Sequence, residues 1–119
     1  MKITIPISVG ELLDKISILQ IKSQYTDNSF VQRELEDLVK VAQENQVYVQ
    51  SDIDLLLQIN QKLWNIEDKL RLFEKRHVFD DDFIKLARFV YTYNDKRAEI
   101  KKQINQKYDS EYQEVKCYA

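Results

Sequence analysis

Apolar residues recur at helical spacing over most of this chain. The clearest run is Leu56, Ile59, Leu63, Ile66, Leu70 and Phe73, with steps of 3, 4, 3, 4 and 3. That is the heptad seam of a packed helix. A second seam follows through Phe83, Leu86, Val90, Tyr93, Arg97, Ile100 and Ile104, and one of its positions is charged. Each helix is about 25 residues, roughly 37 Å at 1.5 Å per residue. The short connection between them predicts a long antiparallel hairpin.

Two shorter helices precede the hairpin. Leu12, Leu13, Ile16 and Leu19 form a stripe that ends near Tyr25, before Thr26-Asp27-Asn28-Ser29. Ser8 to Glu11 fits a capping box, in which the serine caps the helix and Glu11 reaches back. Ile7 and Leu12 stand at the positions of a hydrophobic staple. Val31, Leu35, Leu38 and Ala42 mark the next helix, with Asn45 in place of glycine as its left-handed terminator. After a less regular stretch, Gln46 to Gln50, Ser51 is placed to cap the third helix. Lys75, Arg76 and His77 complement the dipole at its far end. Asp80, Asp81 and Asp82 open the fourth helix, with Phe79 and Ile84 as its staple.

The two termini read differently. Ile3, Ile5 and Ile7 alternate with other residues, and Pro6 forbids a helix, so the start is a short extended arm. Glu114 to Tyr118 alternates again, which predicts a two-stranded ribbon with that arm, within one chain or between two. The fold expected is therefore all-α, with four main helices in a bundle, over a single helical domain spanning residues 1–119.

Glycine and proline content sharpens this picture. Pro6 and Gly10 are the only residues of their kinds, so 109 positions follow with neither. Hairpin-rich β folds need glycine for turns with positive φ. Phosphate-cradling loops need several glycines at fixed spacing. Both classes drop out, and any site must be built from side chains on helix faces. Gly10, having no side chain, also lets another group approach the start of the first helix closely.

Charge and cysteine content narrow the setting. Net charge is −2 with both signs interspersed, which gives no global field for nucleic acid. Lys96, Arg97, Lys101, Lys102 and Lys107 do gather near tyrosines late in the fourth helix, and dipole complementarity explains them. A single cysteine, Cys117, and an N-terminal sequence without a signal peptide fit the cytoplasm. No apolar run is long enough to span a membrane.

Candidate chemistry lies in the polar residues that interrupt the seams. Arg97 sits on the heptad line of the fourth helix, beside Asn94. Asn60, Trp64, Glu67 and Asp68 run beside the seam of the third, and Glu11, Asp14 and Lys15 lie close to the stripe of the first. Pairing across the hairpin would bring Glu67 or Asp68 to Arg97 as a register-setting ion pair. The other reading is a polar pocket for a small anionic or hydroxylated molecule. His77 is the only histidine, which falls short of the two that a di-iron site needs, and its place at a helix end implies no orienting network for a Ser-His-Asp triad. Glu11-x-x-Asp14 and Glu34-x-x-Asp37 suit metal-assisted nucleotide hydrolysis in principle, but the Glu-Glu-x-x-Glu signature of those all-helical enzymes is absent. No catalytic residue, metal ligand or cofactor is assigned.

The block from Ile5 to Leu19 resembles an uncharacterised family of small all-helical proteins of bacteria and phages, a domain of unknown function. Leu63-Trp64-Asn65-Ile66-Glu67-Asp68 carries the same resemblance. So does Phe83 to Arg88, continuing through Val90-Tyr91, Asn94-Asp95 and Arg97-Ala98 to Ile104-Asn105. Asp27 to Asp54 matches only loosely. The resemblance implies no established activity. It implies an accessory role in cell-surface polysaccharide metabolism, and it points to Glu11, Asp14, Lys15, Trp64, Glu67, Asp68, Asn94, Asp95 and Arg97.

The expectation is an interaction or assembly protein, a homodimer without nucleic-acid or membrane partners. Tyr91, Tyr93 and Phe89 leave more apolar surface on the hairpin than one stripe requires. The alternative is a small-ligand-binding or metal-assisted hydrolytic enzyme using the Glu67, Asp68, Asn94 and Arg97 region.

Overall fold

The computed structural model describes residues 1–117, and Tyr118, the last residue of the expected ribbon, lies outside them. Four helices form a bundle: α1 (Val9–Tyr25), α2 (Ser29–Glu44), α3 (Gln50–Arg76) and α4 (Asp81–Lys107). At 27 residues each, α3 and α4 form the long hairpin that the two seams predict. No helix among the described residues is long and apolar enough to cross a membrane.

The shortest-striped helix, α1, is the hub. It packs on each of the other three helices, whereas α2 packs on α1 alone among the described elements. Leu13 and Ile16 are fully buried, and the core continues through Ala42, Ile53, Leu56 and Ile104. The third-helix seam is buried from Leu56 to Ile66, then only half-buried at Leu70 and Phe73. The reason is length. Tyr25 at the end of α1 stacks on Trp64, so α3 runs on beyond α1 for a further 12 residues, roughly 18 Å at 1.5 Å per residue. The outer part of the hairpin is a bare two-helix arm. Phe83 ties its tip together, edge-on to both Phe73 and Phe79.

Without glycine, the helix ends use other residues in left-handed conformation. Gln46, His77 and Asp109 have φ of 59°, 55° and 52°. Each stands in a Schellman motif. In the first, the Val47 amide reaches the Ala42 carbonyl at 2.9 Å and the Gln46 amide reaches Gln43. The left-handed residue after α2 is thus Gln46 and not Asn45, whose φ is −93°. One position further along, Val47 then turns back into the core beside Ala42, which Asn45 in that role would not allow.

Two expected caps and one staple also differ. The Ser8 hydroxyl accepts from the Glu11 amide at 3.1 Å, but the Glu11 carboxylate bonds Lys101 instead of reaching back. A buried ammonium is the stronger partner. Helix α3 begins at Gln50, with Val49 at its N-cap and no side-chain cap, so Ser51 lies inside the first turn. Asp80 does cap α4 through the Phe83 amide, and Phe79 packs on Phe83 while Ile84 is left exposed.

The N-terminal arm is extended, and no strand forms among the described residues. The first residue of α1 meets the segment just past α4 through a side-chain bond. The Val9 amide donates to Ser110 Oγ at 3.2 Å, just past the end of α4.

Candidate functional site

Helices α1 and α4 run antiparallel and face each other with a row of polar residues. On α1 these are Gly10, Glu11 and Asp14; on α4 they are Asn105, Lys101 and Arg97, spaced by one helical turn. They pair in order. The Gly10 amide donates to Asn105 Oδ1 at 2.6 Å. Lys101 Nζ donates to Glu11 at 2.6 Å. Arg97 donates to Asp14 twice, from Nε at 3.0 Å and Nη2 at 2.5 Å.

Gly10 sets the spacing of this row. A Cβ there would lie 2.6 Å from the Lys101 carbonyl oxygen, so only glycine lets the two backbones come this close. What approaches the start of α1 is therefore the protein's own fourth helix.

Asp14 is fully buried, and every group around it is accounted for. Asn60 Nδ2 donates to Asp14 Oδ1 at 2.9 Å and to Ser17 Oγ at 2.7 Å. Ser17 Oγ in turn donates to the Asp14 carbonyl at 2.7 Å. Arg97 gains from this buried carboxylate. The hydrogen bond to Asp14 outweighs desolvation, and its pKa is raised above the ordinary value. For Lys101, burial works against the charge, but the hydrogen bond and charge of Glu11, with Asp14 and Glu114, more than offset it and raise the pKa. Asn105 is buried with Nδ2 lacking a partner among the described residues.

A second buried carboxylate joins α3 to the end of α4. Asp52 accepts from Lys107 Nζ at 3.0 Å and from the Tyr108 hydroxyl at 2.6 Å. Desolvation and the Asp52 bond together raise the Tyr108 pKa.

Two open clefts flank Arg97. One, of 680 Å³, lies between α4 and the C-terminal tail; Tyr91, Asn94, Asp95 and Lys101 line it from α4, and Glu114 and Lys116 from the tail. Lys116 bonds Asp95 at 2.6 Å, and Glu114 lies 3.4 Å from Lys101, so these ion pairs pin the tail along one side. The other cleft, of 440 Å³, lies between α1, α3 and α4. Ile18, Ile21 and Leu63 give it an apolar wall, with Trp64, Glu67, Asp68 and Arg71 further out along α3.

The structure therefore divides the residues selected from the sequence. Glu11, Asp14 and Arg97 join one hydrogen-bonded row. Asn94 accepts from Arg97 Nη1 at 3.4 Å and borders both clefts. Trp64, Glu67 and Asp68 belong to the second cleft, Asp95 to the first, and Lys15 is exposed and lines neither. The acidic partner of Arg97 is Asp14, not Glu67 or Asp68, because α1 lies between the two long helices at that level and presents its carboxylate to both. The basic run of α4 is largely engaged as well: Arg97, Lys101 and Lys107 hold carboxylates, and Lys96 lies over the Tyr93 ring.

The sequence did not single out Lys101 and Asn105 as members of the row, nor Ser17 beside Asp14. The signal was present as the four-residue step from Arg97 to Lys101 to Asn105, facing Gly10, Glu11 and Asp14. Among the described residues, no group of three or more His, Cys, Asp or Glu is gathered to hold a metal ion.

No curated protein and no solved structure matches this chain. A family model does, over residues 1–119: the chain belongs to DUF6165, a family of unknown function.

Proposed function

We propose that this protein is an assembly module, and that it pairs with a second copy of itself through the bare tip of the α3–α4 hairpin. One observation carries this reading. Leu72, Val78, Phe79 and Ile84 cluster at the tip and keep 45%, 37%, 52% and 51% of their surfaces exposed. An exposed apolar group rimmed by charge marks an interaction surface. Each such side chain would contribute about 1 kcal/mol on burial, half the value for a fully buried one.

The rim suits a two-fold partner. Lys75 and Arg76 end α3, and Asp80, Asp81 and Asp82 open α4. In an isologous contact each patch meets its own counterpart turned by half a revolution. The cations of one tip then face the acids of the other. Of the three hairpin residues expected to add exposed surface, Tyr91 is exposed, whereas Phe89 packs on Tyr93, whose ring lies under Lys62 and Lys96. At the tip four exposed apolar side chains come from the adjoining ends of α3 and α4 and their connection, whereas Ile3, Ile5, Phe30 and Tyr91 are exposed singly or in pairs elsewhere. The row centred on Arg97 and Asp14 supports this division, since its groups are engaged in holding α4 on α1. The accessory role in polysaccharide metabolism rests on the resemblance alone and forms no part of this reading.

Cysteine cross-linking tests it. In a Cys117→Ser background, Val78→Cys should oxidise to a linked dimer far faster than Phe30→Cys on α2, although Phe30 is the more exposed position, 75% against 37%. Equal rates for the two variants would refute the pairing.

A further inference from the structure

We infer that the cleft between α1, α3 and α4 binds a small ω-amino carboxylate, a molecule of the lysine type with an anion at one end and an ammonium at the other. The cleft is separate from the hairpin tip, so this stands or falls apart from the pairing of two copies.

The polarity of the cleft is the basis. At its inner end lies Arg97. A guanidinium has five N–H donors. Two are spent on Asp14 and one on a long 3.4 Å bond to Asn94. That leaves one on each terminal nitrogen. These two donors are the part of the fork left to meet a carboxylate. The Arg97 side chain keeps 27% of its surface exposed, and it borders this cleft. The Asp14 carboxylate behind it fixes the fork in place.

At the outer end stand Glu67 and Asp68, both exposed on α3. Arg71, one turn further, offsets one of the two charges and leaves one negative charge in excess. Between the two ends the wall is apolar, made by Ile18, Ile21 and Leu63, with the Trp64 ring beside it. From the level of Asn60, beside Asp14, to Glu67 is seven residues, roughly 10 Å at 1.5 Å per residue. A five-carbon stem with a charge at each end is matched to that span. The volume of 440 Å³ is within the usual range for small-ligand sites.

Titration calorimetry with the full chain and three probes tests the assignment: 6-aminohexanoate, hexanoate and hexylamine. The first should bind about tenfold more tightly than either of the others, since each charged end adds a charge-assisted contact. In Glu67→Gln/Asp68→Asn, whose altered side chains are exposed, its advantage over hexanoate should vanish while hexanoate binding is unchanged. The inference is overturned by absence of binding at millimolar concentration. Equal affinity of 6-aminohexanoate and hexylamine, or an advantage over hexanoate that survives the double substitution, overturns it too.

Discussion

Arg97 holds Asp14 by two hydrogen bonds across 83 residues of sequence, and that pair joins the fourth helix to the first at the centre of the bundle. Asp14 is fully buried, so this partner takes the place of water around its carboxylate. Arg97→Met should cost about 3–5 kcal/mol, because it leaves a buried carboxylate without its cation. Denaturant titration measures this. Pairing the substitution with Asp14→Leu should cost less than the two single changes summed, since both charges then leave together.

Gly10→Ala should destabilise the chain, against the usual preference for alanine in a helix. The added methyl would meet the Lys101 carbonyl at 2.6 Å, and this neighbour is backbone. Forcing α1 from α4 should cost about 1–3 kcal/mol, as overpacking does elsewhere. The same titration, with Ser23→Ala as a control in the last turns of α1, checks it.

Stability should fall in alkali. Lys101 and Tyr108 both hold their protons to higher pH in the folded chain than their ordinary values of 10.5 and 10.0. Above those values the native state binds more protons than the unfolded one, so stability declines as pH rises. Their contribution is complete below the ordinary values and lost as pH passes through the folded ones. Melting curves from about pH 9 upward should show the decline, and Lys101→Met should make it shallower.

The fold was legible because it rests on spacing. The seams of α3 and α4 and the stripe of α1 follow from which residues can be buried. The row between α1 and α4 was half legible. Glu11, Asp14 and Arg97 stand out because they interrupt apolar lines, but their pairing depends on how α1 lies against the hairpin, which spacing within one helix does not fix. Lys101 and Asn105 were hidden for a related reason. A basic residue near the end of a helix reads as a dipole partner, and only the close approach at Gly10 turns that line inward. The caps at Gln46 and Val49 were not legible. Left-handed φ at Gln46 is favoured by tertiary packing of Val47, not by the residue's own preference.

The division between a structural polar row and an associating tip is tested most directly by sedimentation equilibrium. The chain mass is 14.3 kDa. The wild type should sediment as a species of twice that mass. Phe79→Asp/Ile84→Asp should sediment at the single-chain mass, while Arg97→Met, studied below its lowered melting temperature, should keep the doubled mass. A wild type at the single-chain mass, or a tip variant that still sediments as a pair, would contradict the account.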